Sequence, residues 1–204
     1  MRREVKTVAA LREIVGEPDP YVANKVKDRL SPVQCDWLAH SPLAFVATTD
    51  QHGRVDVSPK GDPPGFVHVI DEQTIAIPDR TGNKRVDGYL NVVQRPQVGT
   101  LFVIPGRGDT LRINGRARIL ADADYFDTMI VQGKRPLLVM EVDIEEVFFH
   151  CSKAFLRSDT WKPETWNPDA LPSVAKMAKA LRTDWTDAQL EERYSEENIR
   201  RSMY

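Results

Sequence analysis

From Leu43 onward the chain alternates short apolar runs with clusters of turn residues. The runs are "LAFVATT" (43–49), "RVDVSP" (54–59), "FVHVI" (66–70), "TIAIP" (74–78), "VGTLFVI" (98–104), "TLRINGRARI" (110–119) and "LLVMEVDIEEVFF" (137–149). Their β-branched content and length predict strands. The joints "DQHG" (50–53), "DEQ" (71–73) and "PGRG" (105–108) carry turn chemistry and are short enough to link neighbouring runs as antiparallel hairpins. Only two helical intervals, 83–93 and about 122–132, interrupt the series. That is too few for an alternating fold with a parallel sheet. The pattern predicts a mainly β, α+β protein with a closed or nearly closed antiparallel barrel, which removes the exposed edges that many short strands would otherwise leave.

Helical periodicity flanks this core. Val22, Val26 and Leu30 fall on one helical face, and "SPVQ" (31–34) reads as a capping box with Pro32 at the first helical position, so a second helix starts near Ser31 and stops before "HSP" (40–42). After Phe149 the composition turns polar and tryptophan-bearing. "TDAQLEERYSEENIRR" (186–201) reads as a capped terminal helix. This gives one domain over 1–204: helices in 1–42, the barrel core in 43–160, and a helical tail in 161–204. The tail lacks a core of its own and is expected to pack on the barrel or on a partner subunit.

Composition narrows the function classes. The 204 residues hold 28 Lys and Arg against 30 Asp and Glu, a formal net charge of -2, so the chain as a whole is not a polyanion binder. Strand faces are aliphatic rather than aromatic and basic, which argues against nucleic acid. Two cysteines, Cys35 and Cys151, lie far apart without C-x-x-C spacing, against a disulfide framework or zinc ribbon. Cys151 beside His150 has no third ligand spaced near it, so no metal site is expected. No apolar run approaches bilayer length, and the first residues lack an apolar signal segment. The expectation is a cytoplasmic protein that meets no membrane.

Within this near-neutral balance, "AIPDRTGNKRVDGYLN" (76–91) is locally basic. If the helix begins at 83, then Arg80, Lys84 and Arg85 crowd an end that is already positive and normally favours acids. Either they grip an anion such as a phosphate, with Asn83 as a cap and Gly82 allowing close approach, or they form a solvated turn with ion pairs to Asp79 and Asp87. "VDVSPKGDPPGF" (55–66) places Asp56 and Ser58 on one strand face and then a proline- and glycine-fixed bend around Lys60 and Asp62. That bend suits a ligand site or serves only to stiffen a loop.

Three ordered motifs, "DVSPKGDPPGF", "IPDRTGNKRVDGYLN" and "PGRGDTLRINGRA", resemble the FMN-binding split-barrel core of the pyridoxamine 5'-phosphate oxidase-related flavoproteins over about residues 43–160. The resemblance implies a six-stranded antiparallel split barrel with flanking helices, forming a homodimer with FMN at the subunit interface. It puts the flavin phosphate on Arg80, Asn83, Lys84 and Arg85, and Val57, Ser58 and Lys60 beside the ring and ribityl chain. Thr110 stands near a position where true pyridoxamine-phosphate oxidases carry a glutamine. Lys153, Arg157 and Trp161 match positions that return to the flavin after the barrel, although Lys153 and Arg157 also have the spacing of an exposed helical face. The Arg and His pair that reads pyridoxal phosphate has no counterpart here.

The function implied is an FMN-dependent oxidoreductase acting on a small-molecule substrate or electron donor. The flavin would do the redox chemistry, and no side-chain catalytic residue is assigned. The alternatives are a non-enzymatic flavin carrier or sensor, and a binder of the deazaflavin F420.

Overall fold

The computed structural model describes residues 2–204. Its centre is a single antiparallel sheet of seven strands: β1 (Leu43–Thr49), β2 (Val55–Gly61), β3 (His68–Asp71), β4 (Thr74–Pro78), β5 (Gln97–Val103), β6 (Thr110–Leu120) and β7 (Val139–His150). Their order across the sheet is β2-β1-β5-β6-β7-β4-β3. The three hairpins form at the turns the sequence predicts. In the first, the Asp50 carboxylate accepts the N–H groups of His52 (2.8 Å) and Arg54 (2.9 Å), and Gly53 supplies a positive φ.

The antiparallel sheet with flanking helices fits the expected split barrel, but its six strands and its closure are corrected. There are seven strands, and the outermost two, β2 and β3, do not pair, so backbone hydrogen bonds leave the sheet open. β2 is suited to an edge, because Pro59 within it has no N–H to offer another strand. Side-chain ion pairs instead link the end of β2 to the residues just after β4. Lys60 Nζ lies 3.0 Å from Asp79, and Arg80 pairs with Asp62.

The core lies on one face of the sheet. Ala44, Val46, Ile75, Ile77, Phe102, Leu111, Ile113, Val142 and Val147 pack there with Trp37 and Leu38 of one helix and Tyr89 and Val92 of another. A smaller apolar cluster, Ala76, Phe126, Met129 and Val139, forms on the opposite face of the sheet, where Ala76 and Val139 alternate with the core-facing Ile77 and Met140.

Helices differ from the sequence pattern in instructive ways. α1 (Val8–Val15) is capped by Thr7 and buries no side chain, and α2 (Pro20–Ala23) is one turn. The helix expected through Val22, Val26 and Leu30 therefore stops at Ala23. Lys27 then bridges antiparallel to Val147, and the Leu30 N–H donates to the Glu72 carbonyl, so the backbone beyond Ala23 finds its partners on the sheet rather than in a helix. α3 (Pro32–His40) starts as the capping box predicts, the Ser31 N–H donating to Gln34 Oε1 at 2.8 Å.

α4 spans Asp87–Gln94 rather than 83–93. Lys84 (φ 62°) and Val86 (φ 49°) adopt left-handed backbone, through which a right-handed helix cannot propagate. The interval 122–132 yields only a 3-10 turn, Phe126–Met129, ended by Ile130 in extended backbone. Beyond β7 come α5 (Lys153–Arg157), α6 (Val174–Lys179), α7 (Asp187–Arg193) and α8 (Glu196–Arg201). The expected single terminal helix is two, because the Ser195 side chain accepts the Asn198 N–H and caps a fresh start.

One glycine is fixed by crowding. At Asn114/Gly115 the β6–β7 register shifts by a bulge, and a Cβ on Gly115 would stand 2.0 Å from the Asp143 carbonyl oxygen. Gly115→Ala should lower the unfolding free energy by about 3 kcal/mol or more in denaturant titration, since main chain rather than a flexible side chain must give way. A loss below about 1 kcal/mol would show that the bulge relaxes freely.

Candidate functional site

The basic loop between β4 and α4 opens onto a cavity of about 620 Å³. That size is in the range of small-molecule and cofactor sites. Its walls come from the second half of β2, the loop 78–88, the start of α4, the loop 134–138 and Tyr204. Among its side chains are six cations, Lys60, Arg80, Lys84, Arg85, Lys134 and Arg135, against four carboxylates, Asp56, Asp62, Asp79 and Asp87. A chain that is slightly acidic overall thus has a locally positive cavity.

Electrostatic pairing sorts these cations. Arg80 is tied at Nε to Asp62 and at Nη2 to the Met129 carbonyl (2.7 Å), while its Nη1 is buried with no hydrogen-bond partner. The Asp62 side chain is 1% exposed. Lys60 is held by Asp79 and stands 4.7 Å from the centre of the Tyr89 ring. The Tyr89 hydroxyl is also buried without a hydrogen-bond partner, and burial first, then the Asp79 charge, raises its pKa. Arg85 pairs with Asp87 at 2.7 Å, and Arg135 with Asp122 and Asp127. Lys84 and Lys134 have no ion-pair partner among the described residues.

The helix start also resolves the electrostatic conflict. Its first residue is Asp87, an acid where an acid is favoured, and the cations precede it. Asn83 is not the cap. Its Oδ1 accepts the Arg85 N–H at 3.0 Å within the loop, and the capping position is Val86. A β-branched residue in left-handed backbone is a strained outlier, costing on the order of 1–3 kcal/mol, and such strain concentrates at ligand clamps. Asn91 seats α4 against β1 by donating to Thr48 Oγ1 at 3.0 Å.

The cavity brings together Ser58, Lys60, Arg80, Asn83, Lys84 and Arg85 of the residues singled out from sequence. It does not include Val57, Thr110, Lys153, Arg157 or Trp161. Register explains the first two. Ser58 and Lys60 stand opposite Val46 and Ala44 on the core side, whereas Val57 stands opposite Ala47 on the other side, which it shares with Phe45. Continuing through β5, Phe45 faces Leu101 and Leu101 faces Arg112, so Thr110 and Arg112 share the Val57 side.

Lys153 and Arg157 lie on the exposed α5, with Arg157 Nε donating to the Lys153 carbonyl (3.1 Å). Trp161 donates to the Arg107 carbonyl at 2.6 Å and stacks on Phe155. The cavity lining also includes residues outside the sequence-based site list, among them Asp62, Tyr89, Lys134 and Tyr204. "QGKR" (132–135) repeats the glycine-then-cations sense of "TGNKR" (81–85) and was the available signal for Lys134. Nothing local could have revealed Tyr204.

Among the described residues no three His, Cys, Asp or Glu side chains group to hold a metal ion, and no helix is long and apolar enough to cross a membrane.

Residues 31–151, more than half of the chain, match the family model described as pyridoxamine 5'-phosphate oxidase, and the chain belongs to that family. Among solved structures it is similar to HupZ of Group A Streptococcus (21% identity, TM-score 0.48, covering 59% of this chain and 93% of that one). A candidate pyridoxamine 5'-phosphate oxidase of Lactobacillus delbrueckii gives 23% identity and TM-score 0.46, covering 60% and 95%. A protein named F420 reductase gives 13% identity and TM-score 0.41, covering 56% and 94%. No curated protein matches the chain.

The two thiols are set apart by their surroundings. Burial raises the Cys35 pKa, whereas the backbone N–H of Lys153, with the Lys153 charge, lowers that of exposed Cys151. Iodoacetamide at neutral pH should alkylate Cys151 well before Cys35 by peptide mass mapping, since the thiolate is the nucleophile. Equal rates would contradict this difference.

Proposed function

We propose that the cavity binds FMN and that the protein is an FMN-dependent oxidoreductase acting on a small-molecule donor. The observation that carries the reading is the combination, in one cavity, of a net positive wall, the unpaired Lys84 and Lys134, and the unpartnered buried Arg80 Nη1. A phosphate supplies acceptors for several such donors at once, and charge-assisted bonds to it are the strong ones. The donor set fits the group. Ion pairs already engage Lys60, Arg80 and Arg85, so Lys84 and Lys134 are the cations free to meet the ligand outright, and Arg80 contributes its spare nitrogen.

Bound FMN would supply reversible redox chemistry. The chain's share is to hold and shield. Ser58 and Lys60 line the cavity along β2, Lys60 being kept in place by Asp79 and the Tyr89 ring. Family membership supports a flavin generally. F420 is the alternative cofactor, and a carrier or sensor without turnover is the non-enzymatic alternative.

A homodimer is part of the proposal. Val57, Thr110, Lys153, Arg157 and Trp161 are outside the cavity of their own chain, and a second copy offers a way for them to contribute. Phe45 (39% exposed), Val55 (72%) and Val57 (58%) leave an apolar face on β1 and β2 open to such a partner.

Purified protein should be yellow or take up added FMN. Lys84→Ala should weaken FMN binding roughly tenfold or more by flavin fluorescence titration, from the loss of one charge-assisted bond of about 1.5–3 kcal/mol. Unchanged affinity would return Lys84 to the solvated-turn reading.

A further inference from the structure

The segment after residue 173 folds as the short helices α6, α7 and α8, with Ala175 and Leu190 as its buried contacts. From its far end Tyr204 reaches into the cavity wall. The Tyr204 hydroxyl donates to Asp62 Oδ1, and its ring centre lies 5.9 Å from the Arg80 guanidinium carbon. Both Asp62 oxygens are then occupied, Oδ2 by Arg80 Nε and Oδ1 by Tyr204.

This geometry changes what Arg80 can offer. A carboxylate facing a guanidinium in a dry site would neutralise it; a hydroxyl donated to the same carboxylate draws off part of that charge, so more of the positive field is left for a third group. The aromatic ring meanwhile stands over the guanidinium, and excluding water strengthens what charge interaction is left. Arg80 is fixed at Nε and Nη2, so the buried Nη1 keeps a defined place.

We propose that Tyr204 is a positioning residue that, through Asp62, holds and tunes Arg80 for the phosphate of a mononucleotide, so that docking of residues 195–204 and anion binding reinforce each other. The inference rests on the FMN reading above. Reciprocity follows from linkage: if the docked segment tightens the phosphate, the phosphate tightens the segment by the same factor.

The test titrates wild type and Tyr204→Phe with FMN and with riboflavin, which lacks the phosphate, and follows trypsin cleavage after Arg200 and Arg201 with and without each ligand. Tyr204→Phe should weaken FMN binding about fivefold or more, the low end for coupled sites, and leave riboflavin binding unchanged. FMN, but not riboflavin, should slow cleavage in wild type and should do so less in Tyr204→Phe. Equal FMN affinity in the two proteins, a parallel loss for riboflavin, or cleavage that FMN leaves unchanged or speeds would overturn the role of Tyr204 while leaving the cofactor reading intact. A wild-type protein that binds no FMN would instead remove the cofactor reading, and the coupling with it.

Discussion

The ion pair of Asp62 with Arg80 is the contact on which the rest of this molecule turns. The sheet is open between its edge strands, and the pair joins the bend after β2 to the second residue after β4, where no ladder bond does. Burying two charges is expensive, and such a pair adds little net stability over an apolar contact. What it provides is definition. With Asp62 almost wholly enclosed, loss of either partner would strand a charge, so the two chain segments are held in one arrangement.

That arrangement makes the cavity possible. Arg80 stands where β4 gives way to the loop 81–86, and the loop's left-handed Lys84 and Val86 keep the helix from starting until Asp87. The strain at a β-branched position is tolerated because hydrogen bonds on both sides fix the backbone: Asn91 seats α4 against Thr48, and Asn83 accepts the Arg85 N–H within the loop. Cations gather as a consequence, some neutralised by neighbouring carboxylates and some not. The second kind, together with the spare nitrogen of Arg80, would give an anion a reason to bind.

The division of polar residues between the two sides of β2 and β6 bears on assembly. Alternation along a strand is strict, so Ser58 and Val57 cannot serve the same pocket of the same chain. The family resemblance puts both beside one cofactor, which the proposed homodimer would reconcile by letting Val57 serve the partner's cavity.

Much of the architecture follows from local rules. Alternating short runs, the Asp50 and Asp71 turns, the Ser31 capping box and the sense of the hairpins all depend on contacts within a few residues, and they are legible in the chain itself. So are the motifs that mark the family, and the loop cations at 80–85. Long-range contacts are not. Residues 25–30 read as helix until β7 offers Lys27 a bridge, and the helix at 83 reads continuous until the backbone of Lys84 and Val86 is known. The number of strands and the unclosed edge depend on which strands find each other. Which cations are paired, which nitrogen of Arg80 is spare, and that Tyr204 meets Asp62 across 142 residues are decided only when the chain is folded, because charge pairing depends on distance in space and no local pattern encodes it.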